Sequence, residues 1–118
     1  MRILLADDQP KVRLALRALL EQQPGLKVVG EAVNADDLLT QTEESCPDLV
    51  LLDWELPGPA AVDLLSDLRS ACPDLVVIAL SGRVTAGRAA LAAGADAFVS
   101  KGDPPERLLA AIDCCEGK

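Results

Sequence analysis

Short apolar runs alternate with amphipathic stretches along this chain, and that alternation restricts the folds open to it. Three of the runs are continuous, at residues 3–6, 49–52 and 75–80. Continuous apolar runs of this length are typical of strands buried on both faces of a sheet. A shorter and more polar run at 27–32 suits an edge strand, and 97–100 is a fifth candidate strand.

Apolar residues recur at helical spacing in the stretches between and after these runs. Asn34 is a potential N-cap of the second helix, which is expected to run to about Ser45. Val62 is expected on the buried face of the third helix, and Gly94 is expected to end the fourth in the left-handed conformation. The predicted helices begin near residues 10, 34, 62, 85 and 103.

This order of elements predicts a parallel sheet covered by helices on both faces, because the connections between strands are too long for hairpins. The 118 residues are enough to bury a sizeable core, and no internal repeat or linker interrupts them. We therefore expect one doubly wound α/β domain over residues 1–118.

Residues able to do chemistry follow four of the five predicted strands. Asp7 and Asp8 follow the first strand, and Asp53 follows the third. Ser81 follows the fourth strand and Lys101 the fifth. Because ligands of open α/β sheets bind at the carboxyl ends of the strands, these side chains are expected to meet at one edge of the sheet.

The combination of three carboxylates, a hydroxyl and an ammonium predicts a specific chemistry. Clustered carboxylates raise one another's pKa unless a hard cation neutralises them, and Mg²⁺ suits a site of this kind. Lys101 and Ser81 are groups that balance the charge of a phosphoryl group, so Asp53 is the candidate nucleophile and would form an aspartyl phosphate. Taken singly, such residues are more often helix caps or solvated turns, and the prediction depends on the complete set.

The charge and the cysteines exclude several other functions. A formal net charge of −8 would repel a nucleic-acid backbone, so these residues are not expected to contact DNA themselves. Cys46, Cys72, Cys114 and Cys115 lack metal-binding spacing, and the chain has no histidine, which argues against a zinc site. We expect reduced, structural thiols. With no apolar run as long as a membrane span and no signal-peptide pattern, a cytoplasmic location is expected.

The chain resembles the receiver domains of bacterial two-component response regulators over nearly its whole length. The resemblance rests on "ILLADDQP", "PDLVLLDWELPG", "VIALSG" and "AGADAFVSK". "VVGEA" and "LLAAI" are most similar to receivers of the NarL/FixJ (LuxR) type, which usually precede a helix-turn-helix DNA-binding domain. The resemblance implies a flavodoxin-like, CheY-like sheet with the strand order 2-1-3-4-5.

The resemblance also implies a role for each site residue. Asp53 would accept a phosphoryl group from a sensor histidine kinase. Asp8, Asp53 and the backbone carbonyl of Glu55 would ligate Mg²⁺ directly, and Asp7 would act mainly through water. Lys101 would pair with the phosphoryl group. The domain would assist only its own phosphorylation and dephosphorylation and would not be an enzyme in the ordinary sense.

The conformational switch and the tuning of the lifetime of the phosphorylated form are assigned to four residues. By resemblance, Ser81 would move toward the phosphoryl group and Phe98 would move with it, although simple core packing also explains Phe98. Glu55 and Arg83 could form an ion pair across the site entrance that slows the attack of water on the phosphate. The last helix and its neighbouring strands resemble the face through which receivers form homodimers on phosphorylation.

Other interpretations stay open at this point. The chain could be a receiver-like interaction module without phospho-switching, or a stand-alone single-domain regulator. A phosphatase resembling the haloacid dehalogenases is disfavoured, because those enzymes carry D-x-D after the first strand. We expect the chain to be a fragment whose C-terminal helix-turn-helix output domain is absent. DNA binding and transcription regulation would then depend on that domain.

Overall fold

The computed structural model describes residues 1–58 and 60–116, which form five strands and five helices in alternation. Pro59, Gly117 and Lys118 lie outside the described residues, and so does the end of the predicted 1–118 domain. The strands are β1 Arg2–Ala6, β2 Lys27–Ala32, β3 Leu49–Asp53, β4 Val76–Ser81 and β5 Ala97–Ser100. The helices are α1 Pro10–Glu21, α2 Ala35–Ser45, α3 Ala61–Ala71, α4 Ala86–Ala92 and α5 Pro105–Glu116.

The strands form one parallel sheet in the order β2-β1-β3-β4-β5, which confirms the predicted fold. The register places Ala6 opposite Leu52 and Asp53 opposite Leu80. The carboxyl ends of β1, β3 and β4 therefore lie level with one another. The strand order reverses between β1 and β3, because β2 lies on one side of β1 and β3 to β5 lie on the other, so residues that follow these strands share one crevice.

Each continuous apolar strand contributes side chains to both sides of the sheet, because successive side chains point to opposite faces. Leu4 and Leu52 belong to the cluster that packs beneath α2 and α3. Leu5 and Leu51 belong to the cluster beneath α1 and α5. This two-sided burial is the reason that residues 3–6 of β1 and 49–52 of β3 are all apolar.

Local signals predicted most helix ends correctly. The Asn34 side chain accepts a hydrogen bond from the Asp37 N–H at 2.8 Å and caps α2. Gly94 has a φ of 111° directly after α4. The prediction for Val62 was wrong, since this side chain is 51% exposed. Helix α3 begins one residue earlier, at Ala61, and Val62 lies roughly 160° around the helix from the buried Leu64.

The cysteine prediction was wrong for two of the four residues. Cys46 and Cys72 are joined by a disulfide, whereas Cys114 and Cys115 are not disulfide-bonded. The two bonded residues are 26 positions apart in sequence, and each is the C-cap of its helix, α2 or α3. The packing of these two helices side by side brings their ends together, and spacing along the chain does not show this.

The helices of the described segments are too short or too polar to cross a bilayer.

Candidate functional site

The loop between β1 and α1 holds Asp7 inside the protein and leaves Asp8 exposed. Asp7 is 1% exposed, and its Oδ1 accepts a hydrogen bond from the Gln9 N–H at 2.9 Å. The Asp7 N–H donates to the Ala32 carbonyl of β2 at 3.0 Å. Arg13 on α1 donates from Nη1 to the Asp7 carbonyl at 2.7 Å. The backbone at Asp7 is therefore held from both sides.

The sequence analysis did not identify Arg13, which holds the backbone of Asp7 in position from α1. Its Nε lies 2.8 Å from a Glu31 oxygen on β2, and Arg17 lies 2.9 Å from the other. Burial opposes the charged carboxylate, but hydrogen bonds from Arg17 and Arg13 hold the pKa of Glu31 below its usual value. Two arginines four positions apart on α1 are the one signal in the sequence for this cluster.

We expect Glu31→Gln to lower the free energy of unfolding by about 1 kcal/mol at neutral pH. A carboxylate with a lowered pKa contributes stability above its ordinary pKa of 4.5, and that contribution is lost as the pH falls through the lowered value. Urea unfolding at several pH values should therefore show the wild type and the variant converging in acid. An equal difference at every pH would contradict this account.

Asp53 is the last residue of β3 and is 3% exposed. Its Oδ1 accepts a hydrogen bond from the Glu55 N–H at 3.0 Å. The Lys101 ammonium lies 3.4 Å from Asp53 Oδ1 and 2.8 Å from Asp7 Oδ2. One cation is thus shared between two buried carboxylates that come from different strands.

This shared cation does not balance the negative charge. Burial raises the pKa of Asp53, and the nearby Asp7 carboxylate raises it further, against the opposing effects of the Glu55 N–H and Lys101. Burial works against the charge on Lys101, but its contacts with Asp7 and Asp53 raise the pKa of its ammonium overall. The site is therefore a negatively charged pocket in which Lys101 offsets part of the charge, and additional positive charge would stabilise it.

The donor atoms fit a magnesium ion. Oxygen atoms of Asp7, Asp8 and Asp53 all lie within 4.8 Å of one another, and no other described acidic or cysteine side chains form such a group. All three donors are hard carboxylate oxygens, and the exposed Asp8 opens the group to water. Mg²⁺ prefers one or two carboxylates and retains several waters, so the chemistry of the donors suits it.

Ser81 ends β4 and is fully buried, but its hydroxyl is engaged by a residue of the β3–α3 loop. The hydroxyl lies 2.8 and 3.0 Å from the two carboxylate oxygens of Glu55, to which it donates. Arg83 donates from its N–H to Ser81 Oγ at 3.0 Å and from Nη2 to Glu55 Oε2 at 3.1 Å. The Glu55–Arg83 ion pair is therefore present, and it encloses the serine. The hydrogen bonds between the Ser81 hydroxyl and the Glu55 carboxylate are a second feature that the sequence analysis did not identify.

Phe98 on β5 is half-buried and packs against a cluster of small residues under α4. A Cβ atom added to Gly87 of α4 would lie 2.9 Å from Phe98 Cδ2, so the glycine allows the ring to approach the helix. Trp54 packs against the same cluster from the β3–α3 loop. Helix α4 is only seven residues long. Phe98 thus connects a short helix to the edge of the sheet.

Known proteins are similar to this chain in sequence. The family model of the response regulator receiver domain matches residues 3–113. The nitrate/nitrite response regulator NarL of Escherichia coli K12 is 38% identical over 112 residues, which cover 93% of this chain and 52% of NarL. The transcriptional activator ExaE of Pseudomonas putida is 38% identical over 114 residues, which cover 95% of this chain and 53% of ExaE. The chain spans about half the length of these relatives.

Similarity at the level of coordinates agrees with the sequence comparison. A LuxR-family two-component response regulator from Aurantimonas sp. SI85-9A1 has a TM-score of 0.88 and 34% sequence identity. The match covers 99% of this chain and 86% of that one. The residues 3–113 matched by the family model include all of β2 to β5, all of β1 but its first residue, and the three aspartates of the carboxylate group. This chain belongs to the response regulator receiver domain family.

Proposed function

We propose that this domain is a phosphorylation switch in which Asp53 accepts a phosphoryl group from a sensor histidine kinase. The observation that carries the proposal is the placement of Asp53 between two aspartates and one lysine. Its Oδ1 is occupied by the Glu55 N–H and lies 3.4 Å from Lys101. Within residues 1–58 and 60–116, no group donates a hydrogen bond to Oδ2, and we assign this oxygen as the nucleophile.

The chemistry assigned to Asp53 is a single phosphoryl transfer. A carboxylate oxygen bonds to phosphorus while the bond between phosphorus and the donor's leaving group breaks. Lys101 lies close enough to Asp53 to meet the incoming phosphoryl oxygens with its ammonium. The bond to Asp53 is later hydrolysed, so the domain carries a signal and is not itself a catalyst for other molecules.

Magnesium is the proposed cofactor. Asp8, Asp53 and the backbone carbonyl of Glu55 would hold it directly, with Asp7 acting mainly through water. When bound, Mg²⁺ supplies positive charge that offsets the carboxylates and the phosphoryl oxygens. Lys101 supplies further positive charge through its contacts with Asp7 and Asp53, and the Gln9 N–H and Arg13 hold the Asp7 end of the site in position.

The proposed switch is a change of partner for Ser81. In the structure its hydroxyl donates to Glu55, so it must leave this carboxylate before it can donate to a phosphoryl oxygen. Phosphorylation favours the second state because it adds strong acceptor oxygens next to β4. Phe98 would then change its packing under α4, since the loop between Ser81 and α4 moves with the serine.

Arg83→Ala tests the tuning role proposed for the Glu55–Arg83 pair. We expect the phosphorylated form to lose its phosphoryl group faster, because water then reaches Asp53 more easily. The pair is largely exposed, at 66% for Arg83 and 40% for Glu55, and an exposed ion pair is worth at most about 1 kcal/mol. The lifetime, followed by intact mass, should fall by no more than about fivefold. An unchanged lifetime would exclude the role.

The output is proposed to be regulation of transcription through an attached domain. The relatives NarL and ExaE are named as a response regulator and a transcriptional activator, and this chain spans about half of each. With a net charge of −8, these residues are poorly suited to contact DNA themselves. Helix α5 and its neighbouring strands are the proposed face for a homodimer that forms on phosphorylation. We place the domain in the cytoplasm, where histidine kinases act on receivers.

A Mg²⁺-dependent reaction with acetyl phosphate tests the proposed function. Intact mass spectrometry should show the addition of one phosphoryl group with Mg²⁺ and none with a chelator. Consumption of acetyl phosphate without an accumulating adduct would instead indicate a phosphatase. The absence of any reaction would indicate an interaction module that does not switch.

A further inference from the structure

The Cys46–Cys72 disulfide lies at the end of the sheet opposite Asp53 and has no part in the function proposed above. Cys46 is the C-cap of α2 and Cys72 is the C-cap of α3. We propose that this disulfide is a reversible thiol–disulfide site, reduced by an external dithiol, and that its redox state controls phosphorylation of Asp53. The control of phosphorylation rests on the proposed function.

The fold does not depend on this covalent bond for its core. Two aliphatic clusters fill the two sides of the sheet, and a 118-residue chain is above the size at which domains usually need a disulfide to fold. Disulfides in the reducing cytoplasm are usually transient, catalytic or redox-sensing. A crosslink in a domain that does not need it, in the compartment proposed here, is therefore better explained by regulation than by structural support.

The two sulfur atoms differ in their access to solvent. Cys46 is exposed, whereas Cys72 is 5% exposed and belongs to the core beneath α2 and α3. Both residues line an open cleft of about 770 Å³ at the amino ends of the strands, together with Pro47, Asp48 and Pro73. The cleft gives a small dithiol a route to Cys46, and burial directs the attack to this sulfur.

Reduction requires two exchange steps. A thiolate of the dithiol attacks Cys46 Sγ, the disulfide bond breaks, and Cys72 leaves as a thiolate that takes up a proton. The second thiol of the dithiol then attacks the sulfur that is bonded to Cys46. This step releases Cys46 as a thiol and leaves the dithiol as a cyclic disulfide. Two electrons pass from the dithiol to the two cysteines.

The surroundings can accommodate the reduced pair. Cys72 Sγ lies 3.4 Å from the Thr42 carbonyl of α2, and Cys46 Sγ lies 3.9 Å from the Ala71 carbonyl of α3. Each sulfur is therefore next to a backbone oxygen of the neighbouring helix, which can accept a weak hydrogen bond from an S–H group. Reduction removes the covalent connection without leaving the thiols in a wholly apolar environment.

The crosslink is connected to Asp53 through α2. At the other end of this helix, the Ala35 N–H donates to the Pro57 carbonyl at 2.9 Å, in the loop that follows Asp53. Gly58 of the same loop has a φ of 129°, and a Cβ atom there would lie 2.6 Å from Ala35 Cβ. The loop that carries Glu55 is thus packed against one end of α2, while the other end is bonded to α3. Reduction frees α2 to move relative to this loop.

The test compares the oxidised and reduced 118-residue chain. Dithiothreitol should open the crosslink in the folded chain, as shown by alkylation and mass spectrometry with an unchanged circular dichroism spectrum. The initial rate of Mg²⁺-dependent phosphorylation should then differ between the two forms by at least about threefold. Amide hydrogen exchange should also rise in α2 and in the β3–α3 loop on reduction.

Two variants separate this proposal from nonspecific effects of the reductant. Cys46→Ser/Cys72→Ser should match the reduced chain and show no response to dithiothreitol. Cys114→Ser, which removes an exposed free thiol, should respond as the wild type does. A crosslink that opens only on unfolding, or equal rates and equal exchange in both forms, would overturn the proposal. Absence of the phosphoryl adduct in both forms would overturn the proposed function instead, and reducibility of the folded chain would still decide whether the thiol–disulfide site exists.

Discussion

Asp53→Asn is expected to abolish phosphoryl uptake and, without magnesium, to stabilise the fold. Asparagine has nearly the same shape, but its amide is too weak a nucleophile to attack phosphorus. Burial and Asp7 raise the pKa of Asp53, so the folded protein disfavours this carboxylate relative to water. Removal of an unfavourable buried charge should increase the free energy of unfolding by about 1 kcal/mol, measured by urea unfolding in a chelator.

The pH dependence of this difference follows from the direction of the pKa shift. Between the ordinary pKa of 3.8 and its raised value, folded Asp53 retains a proton that the unfolded chain has lost. The contribution of Asp53 to stability is therefore present below the ordinary value and is lost as the pH rises through the raised value. The wild type and Asp53→Asn should be equally stable in acid and should diverge as the pH rises through this interval.

Asp67→Asn is the matched control for the substitution at Asp53. Asp67 is an exposed carboxylate on α3, and this variant should retain phosphoryl uptake and wild-type stability. Phosphorylation of Asp53→Asn at the wild-type rate would place the acceptor elsewhere. If Asp53→Asn were less stable than the wild type in the chelator, Lys101 would more than compensate for the buried charge of Asp53. That result would contradict the electrostatic argument for the site.

Lys101→Met is expected to have the largest effect on stability, a loss of about 3 kcal/mol in the free energy of unfolding without magnesium. Asp7 and Asp53 are almost fully buried, and Lys101 is the one described cation in ion-pair contact with either side chain. Methionine preserves the length of the side chain and removes its charge, which leaves two carboxylates to repel each other. Urea unfolding in a chelator measures the loss.

Magnesium should restore more stability to Lys101→Met than it adds to the wild type, because the carboxylates no longer have an internal cation. Lys11→Met removes an exposed lysine on α1 and should change neither quantity. Asp7→Asn combined with Lys101→Met should recover most of the lost stability, since it removes one of the two repelling charges. If Lys101→Met unfolded at the same urea concentration as the wild type, the Lys101 ammonium would not be stabilising the Asp7 and Asp53 carboxylates.

The sequence was sufficient to predict the sheet and the positions of its polar ends. Continuous apolar runs identified β1, β3 and β4, and parallel strands in register bring their carboxyl ends together. For this reason Asp7 and Asp53 could be assigned to one site before any distance between them was known. The register pairs Ala6 with Leu52 and so brings the residues that follow them, Asp7 and Asp53, close together, whereas the position of Asp8 depends on the loop after β1.

Other contacts could not be predicted because they depend on how helices and loops pack. The Cys46–Cys72 bond follows from the alignment of two helix ends that are 26 residues apart in sequence. The hydrogen bonds between Ser81 and Glu55 depend on side-chain rotamers at the end of β4 and in the β3–α3 loop, although the charges of Glu55 and Arg83 had suggested an ion pair. The exposure of Val62 was missed because every apolar residue of α3 was assigned to the buried face, although helical spacing puts Val62 well away from the middle of the face formed by Leu64, Leu65 and Leu68.

The central claim is that Asp53, surrounded by Asp7, Asp8 and Lys101, is the magnesium-dependent phosphoryl acceptor. The most direct measurement is reduction of the acetyl phosphate-treated chain with borohydride, which converts an aspartyl phosphate to homoserine, followed by peptide mapping. We expect homoserine at position 53 alone, and only in samples that contained Mg²⁺. Modification at another aspartate, or equal modification in the presence of a chelator, would contradict the account.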